Sequence, residues 1–390
     1  MRWVFGILGI VLVGLAGFFV MNYSTALQPV DDIPDEEAFD PYQENIDIVG
    51  IEAKIAKHKS VPDSVRAVYM TSYVAGSSRA RNRVIDLIES TELNSVIIDI
   101  KDATGYIAFP MYDPMINQVG ATSKRITDIE SLLEKLHNKG IYVIGRVQVF
   151  QDPFLAEKWP DEAVRSISTG DVWRDNKGIA WMDVGSKATW DYTARIANEA
   201  YDLGFDEINF DYVRYPSDGD LSDVFYPISG SDIRADSLVR FFQFMYDKFN
   251  DTEIVISADV FGLTAVEKND MGIGQIIERI APLVDYIAPM VYPSHYANGF
   301  RGFANPADHP YDVVFHSMNT ARKRLEAIGE DPNKLRPWLQ DFDYKATYTA
   351  DMVRAQIQAT YDAGLNSWMI WDPRNQYTAS AYKRKELVLQ

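Results

Sequence analysis

The sequence contains no cysteine and only five histidines among its 390 residues. The absence of cysteine excludes disulfides, cysteine-based zinc sites and cysteine nucleophiles, so packing alone must hold the fold. No Gly-x-Ser-x-Gly segment occurs and no two histidines stand at i and i+4, which leaves a serine-hydrolase elbow and a zinc-protease helix without support. No dinucleotide fingerprint is complete either. We therefore predict neither a cofactor nor a bound metal.

Positive charge is also scarce. Lysine and arginine number 38 against 56 acidic residues, which gives a formal net charge of −18. Phosphate binding needs a basic face, so we expect no nucleic-acid partner. Aromatic residues, in contrast, make up 13% of the chain, and such rings either fill a large core or stack on sugars.

The amino terminus carries a run without charge from Trp3 to Met21, preceded by Arg2. As a helix this run would measure about 28 Å, close to the thickness of a bilayer's hydrocarbon core. It predicts a single-pass membrane anchor within residues 1–22, with the remainder outside the cytoplasm. The alternative is a cleaved signal peptide with a small-residue site at Ser24-Thr25-Ala26, which would release a secreted protein.

Residues 23–60 are predicted to form an acidic linker. The stretch Gln28–Gly50 contains eight acidic residues and three prolines but no lysine or arginine, which is typical of an extended, self-repelling spacer. Residues Ile51–Lys59 are predicted to form a short leading helix. The folded domain is then expected over residues 61–390.

From Val65 onward, strand-like apolar runs alternate with amphipathic helical runs. We predict strands at Val65–Tyr73, Ser95–Lys101, Ile141–Phe150, Glu207–Tyr212, Glu253–Val260, Asp285–Tyr292, Arg336–Phe342 and Ser367–Trp371. We predict helices at Ser78–Ser90, Ser123–Asn138, Lys187–Leu203, Ile233–Asn250, Ile273–Leu283, Val313–Ala327 and Ala350–Ala363. Eight such units favour an α/β fold of the (β/α)₈ (TIM) barrel type. A doubly wound open sheet is the alternative, but the first βα turn lacks a phosphate-binding glycine motif.

The connection from Gln151 to Gly185 is too long for an ordinary βα turn. It holds Trp159, Trp173 and Trp181. Long insertions after barrel strands lie on the carboxyl-terminal face, so we expect this one to shape a cleft and Trp173 to contact substrate. The alternative is a purely structural flap.

Functional residues of such barrels stand at the carboxyl ends of strands, and these ends are rich in polar side chains. Period-two alternation places Asp99 with Lys101, Arg146 with Gln148, and Glu207 with Asn209 and Asp211 on shared faces. Because helices cover the outside, these polar faces should point toward the barrel axis, where an unpaired carboxylate is costly. Asp99, Lys101 and Arg146 are expected either to neutralise one another or to bind substrate. The other predicted substrate contacts are Arg214, Tyr292, His295, Gln340, Trp371 and Asp372.

Six segments together resemble the putative glycosyl hydrolase domain family: Ile98–Asp102, Arg146–Pro153, Gly204–Pro216, Ala258–Gly262, Asp285–Tyr296 and Arg336–Phe342. The resemblance spans about residues 65–375. It implies a (β/α)₈ fold, a carbohydrate substrate and usually an exported protein. Related barrels suggest Asp211 as the fourth-strand carboxylate.

The resemblance leaves the partner of Asp211 open. Chitinase-like barrels place a glutamate just beyond this aspartate, but here Tyr212 follows. Amylase-like barrels draw the partner from the fifth strand, which ends in Asp259, whereas other retaining barrels use the seventh, which offers Asp341 or Asp343. We rank Asp211 first, Asp259 second, and Glu207 and Asp341 third.

The resulting hypothesis is an exported glycoside hydrolase that cleaves an envelope or extracellular polysaccharide or oligosaccharide, with Asp211 as nucleophile or essential carboxylate and Asp259 as general acid/base. One alternative is a barrel that binds glycans without turnover. Another is a metal-dependent hydrolase that uses Asp99, Asp102 and Asp211. Substitution of the carboxylates and chelation would separate the three.

Overall fold

The computed structural model describes residues 57–385 and contains a closed barrel of eight parallel strands. The strands are β1 Arg66–Met70, β2 Ser95–Lys101, β3 Tyr142–Gln148, β4 Glu207–Asp211, β5 Val255–Phe261, β6 Tyr286–Met290, β7 Trp338–Gln340 and β8 Trp368–Trp371. Each strand pairs with the next along the chain, and β8 pairs with β1. The predicted (β/α)₈ barrel is confirmed.

The predicted anchor and nearly all of the acidic linker lie outside the described residues. Within residues 57–385, no helix combines the length and apolar character needed to cross a membrane.

Seven helices connect the strands, close to the predicted positions. They are α1 Ser78–Ser90, α2 Ile129–Asn138, α3 Lys187–Leu203, α4 Arg234–Phe249, α5 Ile277–Ile280, α6 Pro310–Ala327 and α7 Ala350–Asp362. Helix α2 begins later than predicted because Ser123 and Ile126 donate backbone hydrogen bonds to the segment Ile107–Ala108. Helix α5 is shorter than predicted because Ile276 is extended and a 3₁₀ turn, Ala281–Leu283, follows the helix.

Three short helices were not predicted: Ser72–Gly76, Pro114–Val119 and Pro153–Lys158. Each begins at a side-chain cap, from Thr71, Asp113 and Asp152 respectively. The last two also carry proline in the first turn, where its missing N–H costs nothing. All three lie in connections that follow a strand, so they add surface at the carboxyl-terminal end of the barrel.

Two apolar clusters stabilise the fold. The larger one packs the outer strand faces against the helices, as burial of Ile98, Val147 and Phe210 shows. The smaller one fills the barrel interior with side chains from several strands: Val65, Ala67, Tyr69, Ile97, Tyr142, Ile144, Ala288, Tyr292, Trp338 and Met369. Apolar side chains thus fill the barrel interior, and the polar residues predicted for the site stand toward the carboxyl ends of the strands.

The long insertion packs onto the loop after β4. Its strand-like segment Arg165–Ser166 pairs antiparallel with Val224–Phe225. The indole nitrogen of Trp173 donates to the backbone oxygen of Asp220 at 3.2 Å. The insertion and the β4–α4 loop therefore form one layer at the carboxyl-terminal end of the barrel.

Candidate active site

Arg146 lies at the centre of a cluster of three carboxylates. It is on β3 in register with Asp99 on β2 and with Asn209 on β4. Its Nη1 donates to Asp99 Oδ1 at 2.8 Å, and its Nε donates to Asp211 Oδ2 at 3.0 Å. The same Nε lies 3.9 Å from Asp259 Oδ2. The structure therefore brings three of the predicted site residues together around the guanidinium group of a fourth, Arg146.

Asp259 is the more deeply placed of the two leading carboxylates, with 2% of the residue exposed. Its Oδ1 accepts hydrogen bonds from Trp338 Nε1 at 2.7 Å and from Asn209 Nδ2 at 3.0 Å. Burial, followed by the charge of Asp211, raises the pKa of Asp259 well above the ordinary value, although Arg146 lowers it. Asp259 therefore keeps its proton to a higher pH than an exposed aspartate does.

Asp211 ends β4 and is 5% exposed. Arg146 donates to its Oδ2 from both Nε and Nη2, and the backbone N–H of Tyr212 donates to its Oδ1 at 2.6 Å. Because Asp211 and Asp259 both lie near Arg146 Nε, their Oδ2 atoms are at most about 7 Å apart, a spacing that glycosidase carboxylates share.

The backbone immediately after Asp211 is strained. Tyr212 has φ of 53°, which is the left-handed region that residues with a Cβ rarely adopt. Such strain persists only where the surrounding structure fixes it, and it is found often at functional sites. It turns the chain sharply at the end of β4, so that Asp211 and Arg214 are both held at the mouth.

Asp99 completes the cluster. Its Oδ1 accepts from Arg146, and its Oδ2 accepts from the Tyr69 hydroxyl. Burial raises the pKa of Asp99 to about 6, against the lowering effects of Arg146 and Tyr69. Because both of its oxygens are bonded to Arg146 and Tyr69, Asp99 serves as a supporting carboxylate for Arg146.

The raised pKa of Asp99 predicts a pH-dependent stability difference between the wild type and Asp99→Asn. The folded wild type holds this proton up to a pKa of about 6, whereas an ordinary aspartate releases it near 3.8. Unfolding in this window releases a proton, so raising the pH destabilises the wild type relative to the variant, which cannot titrate there. The stability advantage of the wild type over Asp99→Asn should fall by about 2 kcal/mol between pH 4 and 7.

Urea unfolding of both chains at a series of pH values measures this difference. Asp312→Asn, which changes an exposed carboxylate on α6, is the matched control and should track the wild type. A constant difference between wild type and Asp99→Asn across the window would contradict the raised pKa.

Aromatic side chains form a rim beside the carboxylates. The His295 ring contacts Tyr292, Phe342 and Tyr344, with centroids 5.3, 6.0 and 5.7 Å away. His295 is partly exposed. Burial by the surrounding groups nevertheless lowers the pKa of His295 to about 4, and the positive charges of Lys345 and Lys177 lower it in the same direction. At neutral pH the rim is therefore an uncharged aromatic surface, which suits the apolar face of a sugar.

A second group of aromatic rings lies beside Arg146. The rings of Trp371 and Tyr69 stack 4.0 Å apart, and the Arg146 guanidinium carbon lies 5.3 Å from the Trp371 ring centre. Trp371 is partly exposed. The structure therefore places Trp371 beside Arg146, and its predicted contact with substrate stays a prediction.

Glu207 and Asp341 are not brought together with Asp211. Glu207 begins β4, about 13 Å along the strand from Asp211, and pairs with Arg336 at 2.7 Å at the amino-terminal end. Asp341 follows β7 on the face away from the axis, where its carboxylate accepts from the backbone N–H of Thr378 at 2.8 Å. Both carboxylates therefore serve contacts elsewhere in the fold.

The prediction that Lys101 shares a face with Asp99 is wrong. The ladder between β2 and β3 shifts at this point, so that Lys101 stands opposite Val147 rather than Gln148. This bulge reverses the alternation and turns Lys101 outward, where it is 0% exposed and pairs with Asp152 at 2.6 Å. Lys101 neutralises neither Asp99 nor Asp211.

Three other predicted contacts are buried in supporting positions. Trp173 lies in the core of the insertion, with its indole nitrogen bonded to Asp220. Gln340 accepts from the hydroxyl of Ser294 at 2.9 Å and so fixes the loop that bears His295. Asp372 caps a turn through the backbone N–H of Arg374 at 2.6 Å, and burial raises its pKa to about 6.

Two residues near the site, Tyr69 and Gln148, are not among the predicted site residues. Tyr69 contacts both Asp99 and Trp371, and the alternation of β1 would have placed it inside the barrel. The alternation of β3 places Gln148 on the face toward the barrel axis, but the sequence predicts no catalytic or binding role for it. Its Oε1 is buried without a hydrogen-bond partner among the described residues, next to Asp211 in the strand register.

Within residues 57–385 no group of three or more histidine and acidic side chains is arranged to hold a metal ion. The carboxylates of the metal-dependent alternative contact arginines instead: Asp99 and Asp211 bind Arg146, and Asp102 binds Arg125.

One family of known proteins matches most of the chain. Residues 67–377 match the family described as "Putative glycosyl hydrolase domain", which confirms the resemblance of the motifs. No curated protein matches this sequence.

Three solved structures are similar to this chain. A hypothetical protein from Ruminiclostridium thermocellum ATCC 27405 is 34% identical over 50% of this chain and 97% of its own, with a TM-score of 0.46. The PgaB (BpsB) glycoside hydrolase domain from Bordetella bronchiseptica is 13% identical over 82% of this chain and 97% of its own, with a TM-score of 0.59. Alpha-L-fucosidase isoenzyme 2 from Paenibacillus thiaminolyticus is 13% identical over 82% of this chain and 48% of its own, with a TM-score of 0.55. The last two likenesses show a shared barrel fold.

Proposed function

Because the chain belongs to the putative glycosyl hydrolase domain family, we propose that it is a glycoside hydrolase acting on an envelope or extracellular polysaccharide. The observation that carries the proposal is the pair Asp211 and Asp259. Both carboxylates stand beside Arg146 at the mouth of the barrel, but their surroundings differ. Glycoside hydrolysis needs two carboxyl groups with unequal affinities for a proton.

The surroundings suggest a role for each carboxyl group. Asp259, whose pKa is raised, is the general acid that gives its proton to the glycosidic oxygen as that bond breaks. Asp211, held by Arg146 and the Tyr212 amide, is the nucleophile that bonds to the anomeric carbon. Asp259 then takes a proton from the water that releases the sugar from Asp211. The separation of at most about 7 Å favours this retaining route over inversion, which needs about 6.5–9.5 Å.

We also propose that the chain works outside the cytoplasm, tethered through its amino-terminal apolar run. The described chain starts at the amino-terminal end of the barrel, where Lys59 donates its backbone N–H to Asp206 at 2.7 Å and the His58 ring stacks on Tyr201. Asp206 directly precedes β4, whereas Asp211 ends it. The described chain thus begins at the barrel face opposite the one that carries Asp211.

A glycan-binding barrel without turnover is the second candidate. The observation that favours it is the double contact of Arg146 with Asp211 Oδ2, which occupies one of the two oxygens that a nucleophile could use. For hydrolysis, substrate must displace one of these contacts or use the other oxygen.

Turnover separates the two candidates. The full chain in detergent or in vesicles is mixed with a panel of envelope and extracellular polysaccharides, and new reducing ends are measured together with direct binding. We expect release of reducing ends from at least one glycan, and retention of anomeric configuration by NMR. Binding to panel members with no release from any of them would favour the glycan-binding barrel instead.

A further inference from the structure

Arg214 differs from the other buried arginines of the described chain. Five arginines are no more than 9% exposed, and four of them pair with a carboxylate at the ion-pair distance: Arg81 with Asp128, Arg146 with Asp99, Arg324 with Glu278, and Arg336 with Glu207. Arg214 is 8% exposed and pairs with no carboxylate of residues 57–385. A buried charge without a partner is costly, so its retention calls for another explanation.

The free donors of Arg214 are the two that suit an external anion. Its Nη1 donates to the backbone oxygen of Tyr215 at 2.9 Å and to Ser217 Oγ at 3.3 Å. Its Nε and Nη2 make no hydrogen bond with described residues, and neither is among the fully enclosed polar atoms without a partner, so both keep contact with solvent. These two nitrogens form the edge of guanidinium that binds both oxygens of a carboxylate.

Aromatic rings hold this guanidinium in place. Its carbon lies 4.7 Å from the ring centre of Trp181, 5.2 Å from that of Tyr212 and 4.6 Å from that of Phe261. The rings come from the insertion, from the strained turn after Asp211 and from the end of β5, so they fix Arg214 at the mouth. Cation–π contacts stabilise the charge but leave its outer edge open.

Nearby acids offset part of the charge without occupying those donors. Asp211, Asp218 and Asp175 interact electrostatically with Arg214, but none of them lies at ion-pair distance from it. Two of the three are engaged elsewhere: Asp211 binds Arg146, and Asp175 accepts from Trp181 Nε1 at 3.1 Å. The Nε and Nη2 donors of Arg214 therefore remain unused by the described residues, three residues beyond the proposed nucleophile.

We propose that Arg214 binds the carboxylate of an acidic sugar, and that the substrate is a polysaccharide containing uronic acid residues. This inference rests on the proposed glycoside hydrolase function. The carboxylate would lie in the plane of the guanidinium and accept from Nε and Nη2, with the sugar ring close enough to Asp211 for the neighbouring bond to be cleaved. A neutral sugar at this position would leave the buried charge unpaired.

Matched pairs of oligosaccharides test the inference. Oligosaccharides containing glucuronate, galacturonate or mannuronate are each compared with the carboxyl-reduced form, and affinities for the full chain are measured by calorimetry. We expect at least one acidic form to bind the wild type about 10- to 100-fold more tightly than its reduced form. In Arg214→Gln the two affinities should become equal within about threefold, with Arg214→Lys in between.

Arg174→Gln is the matched control, because Arg174 is an exposed arginine of the neighbouring insertion and pairs with Glu157; it should keep the wild-type ratio. Equal binding of acidic and reduced forms by the wild type would overturn the inference even if Arg214→Gln does not fold, and so would a wild-type ratio in a folded Arg214→Gln. Turnover, measured separately, tests the hydrolase proposal. If the acidic form binds more tightly in an Arg214-dependent way but no glycan is cleaved, carboxylate binding by Arg214 is supported and the hydrolase function is not. If a glycan is cleaved but the acidic form has no advantage, carboxylate binding by Arg214 is contradicted and the hydrolase function is kept.

Discussion

Replacing Asp259 with asparagine is expected to lower kcat by about 10²–10⁴-fold on a glycan that the wild-type chain cleaves, since this is the usual contribution of positioned proton transfer. Asparagine has the same shape, and its amide oxygen can still accept from Trp338 Nε1 and Asn209 Nδ2, so the fold should be kept. The amide has no proton of suitable acidity to give to the leaving oxygen. Initial rates of reducing-end release measure the effect.

A leaving-group comparison shows whether the loss belongs to proton donation. Aryl glycosides of the same sugar with acidic phenols need little protonation, so Asp259→Asn should impair their cleavage far less than that of the natural linkage. A variant damaged only in its structure would lose both activities alike. Asp312→Asn on α6, an exposed carboxylate, should keep wild-type rates. Full activity of Asp259→Asn on the natural linkage would remove Asp259 from the mechanism.

The pKa of Asp259 should respond to Asp211 in a defined direction. After burial, the negative charge of Asp211 is the main cause that raises it, because two neighbouring carboxylates resist ionising together. Asp211→Asn removes that charge, so the pKa of Asp259 should fall while remaining above an ordinary aspartate's. Carboxyl carbon NMR of the full chain against pH measures this without requiring activity, and an unchanged or higher pKa would contradict the coupling.

The sequence predicts the barrel well because the period-two pattern of its strands and the amphipathic pattern of its helices alternate regularly over most of the chain. Strands such as Ser95–Lys101 and helices such as Lys187–Leu203 have the predicted bounds, since period-two and amphipathic patterns are separated there by glycine exits such as Gly204. The predicted bounds are wrong where local hydrogen bonds override this pattern. The segment at Ser123 is predicted to be helical, but it hydrogen-bonds to the backbone of Ile107–Ala108 instead.

The candidate site is predictable only in part. Alternation places Asp99, Arg146 and Asp211 inside the barrel, and the structure joins them. Alternation also places Lys101 inside, but a single register shift beside Ile100 turns that residue outward, and no local pattern in the sequence marks this bulge. The sequence also does not show which carboxylate pairs with a given arginine. That Arg146 binds Asp99 and Asp211, and that Arg214 forms no ion pair with a described carboxylate, is visible only in the three-dimensional structure.

Removing Arg146 is expected to be the most destabilising single change at the site. Arg146→Met leaves the buried carboxylates of Asp99, Asp211 and Asp259 without their shared cation, and breaking a buried ion pair from one side costs about 3–5 kcal/mol. Arg174→Met, which breaks the exposed pair with Glu157, should cost less than about 1 kcal/mol. Urea unfolding of the full chains at pH 7 measures both.

The loss should depend on pH with a definite sign. Without Arg146 the pKa values of Asp99 and Asp259 in the folded chain rise further above those of the unfolded chain, because Arg146 lowers both, so the folded state takes up protons as the pH falls. Arg146→Met is therefore expected to recover stability relative to the wild type between pH 7 and pH 5. An equal deficit at both pH values would mean that lost packing of the arginine, rather than unpaired charge, explains the effect.

Combining substitutions separates the structural part of Arg146 from its part in the chemistry. Arg146→Met with Asp99→Asn leaves one carboxylate fewer unpaired, so the double variant should be more stable than Arg146→Met alone, and the two effects should not add. If the double variant folds at pH 7 but stays inactive on the natural glycan, Arg146 acts on Asp211 in the reaction, because stability no longer limits the rate. Restored turnover in that variant would instead assign Arg146 to the fold alone and leave Asp211 and Asp259 to work without it.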